Sequence, residues 1–246
     1  MFNDPEILFE DPSIIVISKP AGMVVNRADT TRAYKTVQEW AESKIPNLAN
    51  YNPEEFSEFG DRGGMVHRLD KETSGILIIA KDETSFKKLQ AQFKSREVKK
   101  EYTALVHGIV EPAQGEVNVP IGRLPWNRTR FGYLEEGRDS LTLYKTVKHK
   151  KLVSGKETED LTLLQINPQT GRTHQIRVHM RYINHPIFAD ELYAGRKQSK
   201  KDRKILPRHF LHAGKISFAH PVTGEVMNFE AELPIDLTSF LATLVD

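Results

Sequence analysis

The segment from Gly63 to Lys81 holds the residues best suited to chemistry. Its sequence, GGMVHRLDKETSGILIIAK, places a polar cluster between a short apolar lead and a continuous apolar run. An acid and two bases at the mouth of an apolar strand can hold a desolvated carboxylate beside a cation, the setting in which functional carboxylates are found. Asp70 is the candidate carboxylate, although a lone aspartate at such a position is more often a turn or capping residue.

Other groupings of reactive side chains are weaker candidates. His174 and His179, with His185 nearby, have a spacing that does not place two ligands on one helical face, and no neighbouring acid or cysteine completes a metal site. Ser74 lacks the glycine elbow of a serine hydrolase. No strand, glycine loop and helix combine into a phosphate-binding motif. The sequence therefore predicts neither a metal nor a cofactor.

Residues 123–131 interleave aromatic and basic side chains. Trp126 and Phe131 lie among Arg123, Arg128 and Arg130. A loop of this composition can contact RNA by stacking and by binding phosphates, and it can also be a purely structural loop. Both interpretations stay open.

Lysine and arginine concentrate in residues 94–100, 145–156 and 196–208, although the formal net charge is only +2. Basic runs usually form solvated faces, but three runs that flank one site would follow the phosphates of a nucleic acid. The absence of cysteine excludes disulfides and thiolate chemistry.

The sequence contains no candidate for a membrane span or a signal peptide. No apolar stretch approaches the ~18 residues that a span requires. The opening residues, MFNDPEILFEDP, lack the basic start and apolar middle of a signal peptide. We expect a cytoplasmic protein that does not contact membranes.

Apolar periodicity predicts the elements that must position these residues. Residues 57–64 (SEFGDRGG) are typical of a loop, and the strands 141–147 and 161–166 predict a hairpin with a long basic tip. The predicted strands are residues 14–18, 75–80, 101–108, 115–122, 141–147, 161–166, 210–219 and 225–232. The predicted helices are residues 36–44, a stretch after Asp82, 173–184 and 235–245. Many strands with few helices predict a mixed, largely antiparallel α+β fold.

Six segments in order resemble the motifs of RluA-type RNA pseudouridine synthases. HRLDKETSGILIIAK resembles the family signature, and FEDPSIIVISKPAGMVV resembles its opening strand and turn. KKEYTALVHG, PIGRLPWNR, TGRTHQIRVHM and LHAGKISFAHPVTGE resemble the later motifs. The resemblance implies a single catalytic domain over residues 1–246 with the pseudouridine synthase fold. Many members carry a small N-terminal RNA-binding domain, and we expect none here because there is no room before Ile14.

The resemblance also implies roles for individual residues. Asp70 matches the catalytic aspartate, Tyr102 the tyrosine that stacks on the target base, and Arg177 the arginine paired with the catalytic carboxylate. Arg68 matches an arginine that displaces the target base, and Leu211 an apolar residue of the uracil pocket. The same motifs contribute further candidates for substrate binding, namely His67, Thr73, Arg172 and His174.

The implied reaction is the isomerisation of a specific uridine in tRNA or rRNA to pseudouridine. A carboxylate can start it by assisting departure of uracil at the anomeric carbon, or by adding to carbon 6 of the base. Either route needs an ionised aspartate, and a neighbouring arginine keeps it ionised. We expect the chain to be an RNA-modifying isomerase that acts as a monomer on RNA.

Two other classes of protein compete with this interpretation. A non-catalytic RNA-binding protein on the same fold would tolerate loss of Asp70, and its presence with Tyr102 and Arg177 argues against that class. A glycosidase or nucleoside hydrolase usually needs a second carboxylate, and none stands out in the motifs. The sequence does not identify which RNA, or which uridine, is modified.

Overall fold

The computed structural model of the chain describes residues 4–27, 35–49, 57–127, 130–155 and 157–246. These residues form two compact units: unit 1 comprises Met1–Lys99 and Ala213–Glu232, and unit 2 comprises Lys100–His212 and Leu233–Asp246. Each unit takes its chain from two separate stretches, and the single domain expected over residues 1–246 stays a prediction. Arg128 and Lys156, which belong to the basic stretches noted above, lie outside the described residues.

Eleven strands and seven helices are present in the described part of the chain. The strands are β1 (Glu6–Glu10), β2 (Ile14–Lys19), β3 (Ser74–Ala80), β4 (Lys99–His107), β5 (Gln114–Asn118), β6 (Ile121–Arg123), β7 (Phe131–Tyr133), β8 (Leu141–Ser154), β9 (Glu157–Pro168), β10 (Leu211–Ala219) and β11 (Val226–Glu230). The helices are α1 (Val37–Lys44), α2 (Pro46–Ala49), α3 (Glu58–Asp61), α4 (Glu83–Ser95), α5 (Gln175–Tyr182), α6 (Arg196–Asp202) and α7 (Ile235–Ala242).

Strand β3 is the centre of unit 1. All seven of its residues are buried, as its uninterrupted apolar sequence predicts. It pairs antiparallel with β2, which pairs antiparallel with β1, and β10 and then β11 lie on its other side. Helix α4 begins at the predicted cap, where the Asp82 carboxylate accepts a hydrogen bond of 2.9 Å from the Ser85 amide. Phe86 and Leu89 are the buried apolar side chains of this helix.

A buried lysine joins two turns of unit 1. Lys19 ends β2, is fully buried, and donates from its ammonium group to the carbonyl oxygens of Pro20 at 2.9 Å, Met23 at 2.9 Å and Lys71 at 3.3 Å. The amide of Gly22 donates to the same Lys71 carbonyl at 2.7 Å. Through these two hydrogen bonds to the Lys71 carbonyl, the Lys19–Met23 turn stabilises the turn that follows the HRLD segment.

Gly75, at the start of β3, occupies a position that excludes any side chain. Its φ is +121°, and a β-carbon built on it would lie 2.2 Å from the backbone carbonyl oxygen of Ala213 on β10. Only glycine permits both this backbone conformation and this approach of two strands. The glycine of the TSG sequence is therefore required by the close approach of β3 and β10.

Unit 2 is built around β4 and β9, whose apolar side chains pack in clusters on both faces of the sheet. Ala104 and Ile166 lie in one apolar cluster with residues of α5, including Ile176. Leu105, on the opposite face of β4, lies in a second cluster with Phe240 of α7. The alternation of side chains along a strand thus places α5 and α7 on different faces of the sheet, whose strand order is β4-β9-β8-β5.

A charged cluster fixes α6 to this sheet. His107 on β4 makes hydrogen bonds of 2.7 Å through Nδ1 with Glu159 on β9 and of 3.0 Å through Nε2 with Asp202 on α6. Burial lowers the pKa of His107, but the hydrogen bonds and charges of the two carboxylates outweigh it and raise the pKa to about 9. His107 is therefore held as a cation near neutral pH, in a structural role.

The predicted α+β fold is confirmed, because the strand pairs β1–β2, β2–β3, β10–β11, β4–β9, β8–β9 and β5–β8 are all antiparallel. The long basic tip of the 141–166 hairpin is wrong: β8 continues to Ser154 and pairs with β9 as far as Glu157, so the lysines of residues 145–151 lie in a paired strand. Residues 57–64 are not entirely loop, since a hydrogen bond from the Asp61 amide to the Ser57 carbonyl closes the turn α3. The basic run at 196–202 is a helix that buries only Ser199 and Asp202.

We predict that Gly75→Ala destabilises the protein by more than about 3 kcal/mol, since the added methyl group meets a strand backbone that cannot move alone. Gly224→Ala is the matched control. Gly224 also has a positive φ, +75°, but apart from its chain neighbours no described atom lies within 4 Å of the place that a β-carbon would take. This variant should lose only about 1–2 kcal/mol, because a left-handed backbone disfavours any side chain. Denaturant unfolding measures both, and equal losses would contradict the close-approach argument.

We also predict that Lys19→Met lowers the free energy of unfolding by about 2–4 kcal/mol, because three carbonyl oxygens, that of Met23 in a buried hydrogen bond, lose a charged donor. The control is Lys87→Met, which alters an exposed lysine of α4 whose partner is Glu83 one turn away. That change should stay within about 0.5 kcal/mol. A Lys19→Met protein as stable as the control would show that the ammonium does not hold the two turns.

Candidate active site

The segment that carries Asp70 runs beside β3 in unit 1. The amide of Ile78 donates to Nε2 of His67 at 3.0 Å, and the His67 ring stacks on Phe93 of α4 with ring centres 4.8 Å apart. The amide of Thr73 donates to the Asp70 carbonyl at 3.1 Å and closes a tight turn. Asp70 is half-buried on this turn. Its backbone is thus fixed from both sides, and its carboxylate is neither sealed in the core nor fully solvated.

The neighbours of Asp70 differ in what they can do. His67 accepts a backbone hydrogen bond at Nε2, so a neutral ring carries its proton on Nδ1. Thr73 is buried, and Arg68 is exposed to solvent. His67 and Thr73, which are expected to contact the substrate, therefore also stabilise the turn. Arg68 is exposed, so an RNA can reach it.

Arg177 lies on α5 in unit 2 and is almost fully buried. Its Nε and Nη2 donate to the two carboxylate oxygens of Asp190 at 2.7 Å and 3.0 Å, a bidentate pair. The amides of Leu192 and Tyr193 also donate to Asp190. Burial alone would raise the pKa of Asp190, but the hydrogen bonds and charge of Arg177 outweigh it and hold that pKa below its usual range. The guanidinium plane is therefore fixed before any substrate binds.

Tyr193 links Arg177 to a second predicted residue. The Arg177 guanidinium lies over the Tyr193 ring, 5.1 Å from its centre. The Tyr193 hydroxyl shares a hydrogen bond of 2.9 Å with Nδ1 of His174 and accepts one of 3.2 Å from the amide of Phe131. His174 has a left-handed backbone, φ +56°, immediately before α5. Tyr193 thus sets the positions of both Arg177 and His174.

The amide of Gln175 organises the loop before α5. Its Oε1 accepts hydrogen bonds from the Thr170 hydroxyl at 2.7 Å and the Arg172 amide at 2.9 Å, and its Nε2 donates to the Leu141 carbonyl at 3.0 Å. The Arg172 side chain donates through Nε to the Asp139 carbonyl at 3.0 Å. This buried amide explains why the motif TGRTHQIR forms one rigid corner of unit 2.

Two predicted residues meet at one apolar cluster of unit 2. Leu211 is buried in the cluster that contains Ile176, and the half-buried Tyr102 packs against the same cluster. Tyr102 lies opposite Ile166 in the register of β4 and β9. An aromatic ring beside an apolar floor is an arrangement that can hold a planar base.

His179 has a structural role rather than a role in metal binding. It is fully buried, with hydrogen bonds from its ring nitrogens to Thr142 at 2.8 Å and Ser140 at 2.9 Å. Burial lowers the pKa of His179 to about 4, despite a hydrogen bond with the Val119 carbonyl, so the ring is neutral at pH 7. Within the described ranges, no group of three His, Cys, Asp or Glu residues is arranged to hold a metal.

No helix among those ranges is long and apolar enough to cross a membrane.

Four residues that position the candidates are not predicted from the sequence: Lys19, Gln175, Asp190 and Tyr193. Lys19 lies in the resembling segment ISKPAG, but a lysine in a turn gives no sign that it is buried. Asp190 and Tyr193 lie in FADELY, a segment without a recognisable pattern, and their partners are more than ten residues away. Gln175 lies inside a recognised motif, which is the one signal that could have identified it.

Comparisons with known proteins identify the family. A profile of the family described as RNA pseudouridylate synthase matches residues 13–182. An RNA pseudouridine synthase of Aquifex aeolicus, described as uncharacterized, is 38% identical over 234 residues, which cover 93% of this chain and 69% of that protein. The ribosomal large subunit pseudouridine synthase D of Neisseria meningitidis serogroup B is 37% identical over 245 residues, which cover 97% of this chain and 61% of that protein. The chain thus spans between 61% and 69% of the length of these two relatives.

A solved structure agrees on the fold. The human protein called RNA pseudouridylate synthase domain containing 1 superimposes with a TM-score of 0.74 at 24% identity, covering 98% of this chain and 88% of that one. A likeness at this identity concerns the fold alone. The family itself rests on the profile and on the sequence relatives. The chain therefore belongs to the RluA-type family of RNA pseudouridine synthases, which confirms the family that its sequence motifs predict.

Proposed function

We propose that this protein converts a uridine of ribosomal RNA to pseudouridine and that Asp70 is the catalytic carboxylate. The observation that carries the proposal is the position of Asp70 in the HRLD segment, half-buried on a turn whose backbone is fixed by hydrogen bonds. A catalytic group must be held in one geometry, and a carboxylate at the edge of an apolar strand meets that need better than one on a mobile loop.

The reaction breaks the bond between the anomeric carbon and nitrogen 1 of uracil, rotates the base and forms a bond to carbon 5. Carbon 5 then loses its proton and nitrogen 1 takes one up, so the product is an isomer of the starting uridine. Asp70 either assists departure of the base at the anomeric carbon or adds to carbon 6, and both routes require the ionised form. The proposal includes both routes, because each requires an ionised Asp70 in the first step.

Arg177 is proposed as the cation that keeps this aspartate ionised. The assignment rests on the family motif, and the buried pair with Asp190 supports it in one respect. Because Asp190 binds Nε and Nη2, the guanidinium has one orientation rather than many. A fixed cation stabilises a nearby anion without the entropy loss of ordering a long side chain.

Tyr102 and Leu211 are proposed to hold the detached uracil. A general acid–base contact contributes only ~10²–10⁴-fold, so most of the rate must come from retaining and orienting the base. The shared apolar cluster of Tyr102 and Leu211 supports this role. Arg68 is proposed to displace the target base from its stack, a step that enzymes acting on nucleobases require. The other proposed substrate-binding residues are His67, Thr73, Arg172 and His174.

The proposed substrate is RNA of the large ribosomal subunit, because relatives from Neisseria meningitidis and Nitrosomonas europaea carry the name ribosomal large subunit pseudouridine synthase D. Transfer RNA is the alternative. We propose that the reaction takes place in the cytoplasm and that the chain acts as a monomer with a single catalytic domain. We propose that it uses neither a metal nor a cofactor.

We predict that Asp70→Asn folds and binds RNA with near-normal affinity but forms no pseudouridine. A neutral amide cannot attack carbon 6 or balance positive charge on the sugar, whereas a turn role would survive because Asn suits turns as well as Asp does. The measurement is tritium release from RNA that carries uridine labelled at carbon 5, run beside a binding assay and a melting curve.

Asp82→Asn is the matched control for this experiment. Asp82 caps α4 through the Ser85 amide, and asparagine is an equally good cap, so this variant should keep both stability and turnover. Turnover of Asp70→Asn within about tenfold of the wild type would remove Asp70 from the mechanism, because loss of a catalytic group costs more than that.

A further inference from the structure

The β6–β7 hairpin packs on the helix that carries Arg177. In its register Ile121 lies opposite Tyr133 and Arg123 opposite Phe131, so these four side chains share one face. Ile121 and Phe131 on this face pack in an apolar cluster with residues of unit 2 that include Tyr193. The hairpin is therefore fixed to the body of unit 2 by its own core.

The hairpin has a defined direction along α5. At one end the Phe131 ring meets the edge of His174, with ring centres 5.7 Å apart, and at the other end Tyr133 meets Tyr182 at 5.5 Å. His174 immediately precedes α5 and Tyr182 ends it. The end of the hairpin at which a turn leads into β7 therefore lies at the start of α5, beside the proposed substrate-binding residue His174. The hydrogen bond from the Phe131 amide to Tyr193 fastens this end.

Trp126 lies in that turn and 76% of its surface is exposed. The backbone around it is closed by hydrogen bonds from the Leu124 amide to the Arg130 carbonyl at 3.0 Å and from the Arg130 amide to the Asn127 carbonyl at 2.9 Å. A tryptophan is large and on average highly buried, so one this exposed does not serve the core. An exposed indole ring at this place is suited to contact something outside the chain.

The charge around Trp126 favours a nucleic acid. Residues 121–138 contain four arginines and two glutamates. Arg123 is exposed and lies over the Phe131 ring, 5.1 Å from its centre. A ring that offers a stacking face next to guanidinium groups matches an unpaired base and its flanking phosphates, the combination found in single-strand binders.

We propose that Trp126 is a stacking platform for an unpaired base of the RNA, one that flanks the modified uridine. This inference rests on the proposed function and adds a contact for a neighbouring nucleotide. In this proposal the indole ring stacks on the base, Arg123 and Arg130 bind the phosphates, and the hydrogen bond from the Phe131 amide to Tyr193 keeps this end of the hairpin beside His174.

Tryptophan fluorescence tests the platform directly, because the chain has two tryptophans and Trp40 is buried. An oligouridylate of about ten nucleotides should quench the emission of the full-length protein, and Trp126→Phe should remove most of that quenching. An oligonucleotide of the same length without bases should bind more weakly and leave the emission unchanged. Equal quenching by both probes would overturn base stacking.

Binding and turnover provide the second test. Trp126→Ala should raise the dissociation constant for oligouridylate and the KM for RNA by roughly 5- to 100-fold, and Trp126→Phe by much less because a ring remains. Ile235→Ala, at an apolar side chain with 81% exposure, is the control and should match the wild type. Melting curves of all variants should coincide, since none of these side chains is buried.

The outcomes separate this inference from the proposed function. If the wild type releases tritium from labelled RNA and Trp126→Ala has unchanged affinity and KM, the platform is wrong and the proposed function stands. If the wild type binds oligouridylate with quenching that depends on Trp126 but releases no tritium, the proposed function is wrong and the platform stands. A protein partner captured through Trp126 with no RNA-dependent quenching would also overturn the platform.

Discussion

The buried ammonium group of Lys19 is the interaction on which the candidate site of unit 1 depends. A charge without water costs several kcal/mol unless polar groups surround it, and here the carbonyl oxygens of Pro20, Met23 and Lys71 do so. Two of these carbonyls belong to the turn after β2 and the third to the turn that carries Asp70. The requirement to solvate one cation therefore fixes the backbone around the proposed catalytic carboxylate.

Unit 2 uses the same principle with the charges reversed. The carboxylate of Asp190 is buried, and the fork of Arg177 and two backbone amides supply its hydrogen bonds. Tyr193 supports the guanidinium from its face and reaches His174 with its hydroxyl. Each unit thus uses a buried ion to orient a group proposed to act on RNA. Such preorganisation matters in a reaction where positioning and charge stabilisation must supply most of the rate.

Local patterns predicted much of this structure, and long-range partners account for the rest. The apolar run of β3 and the Asp82 cap of α4 depend on neighbouring residues, so the sequence reveals them directly. The basic hairpin was misjudged because the exposed stretch KTVKHKK of β8 is as rich in charge as a solvated loop. Lys19 and Asp190 were missed because their burial depends on chain segments far away in sequence. The family motifs compensated at Asp70, Tyr102 and Arg177, whose roles stay predictions.

The central claim is that this chain makes pseudouridine in ribosomal RNA with Asp70. The most direct measurement is a pseudouridine map of total RNA from cells that lack the gene, complemented with either the wild-type gene or the Asp70→Asn gene. We expect that at least one uridine of the large-subunit RNA is unmodified without the gene, and that the wild-type gene restores this modification whereas the Asp70→Asn gene does not. An unchanged map in cells without the gene, or full restoration by Asp70→Asn, would contradict it.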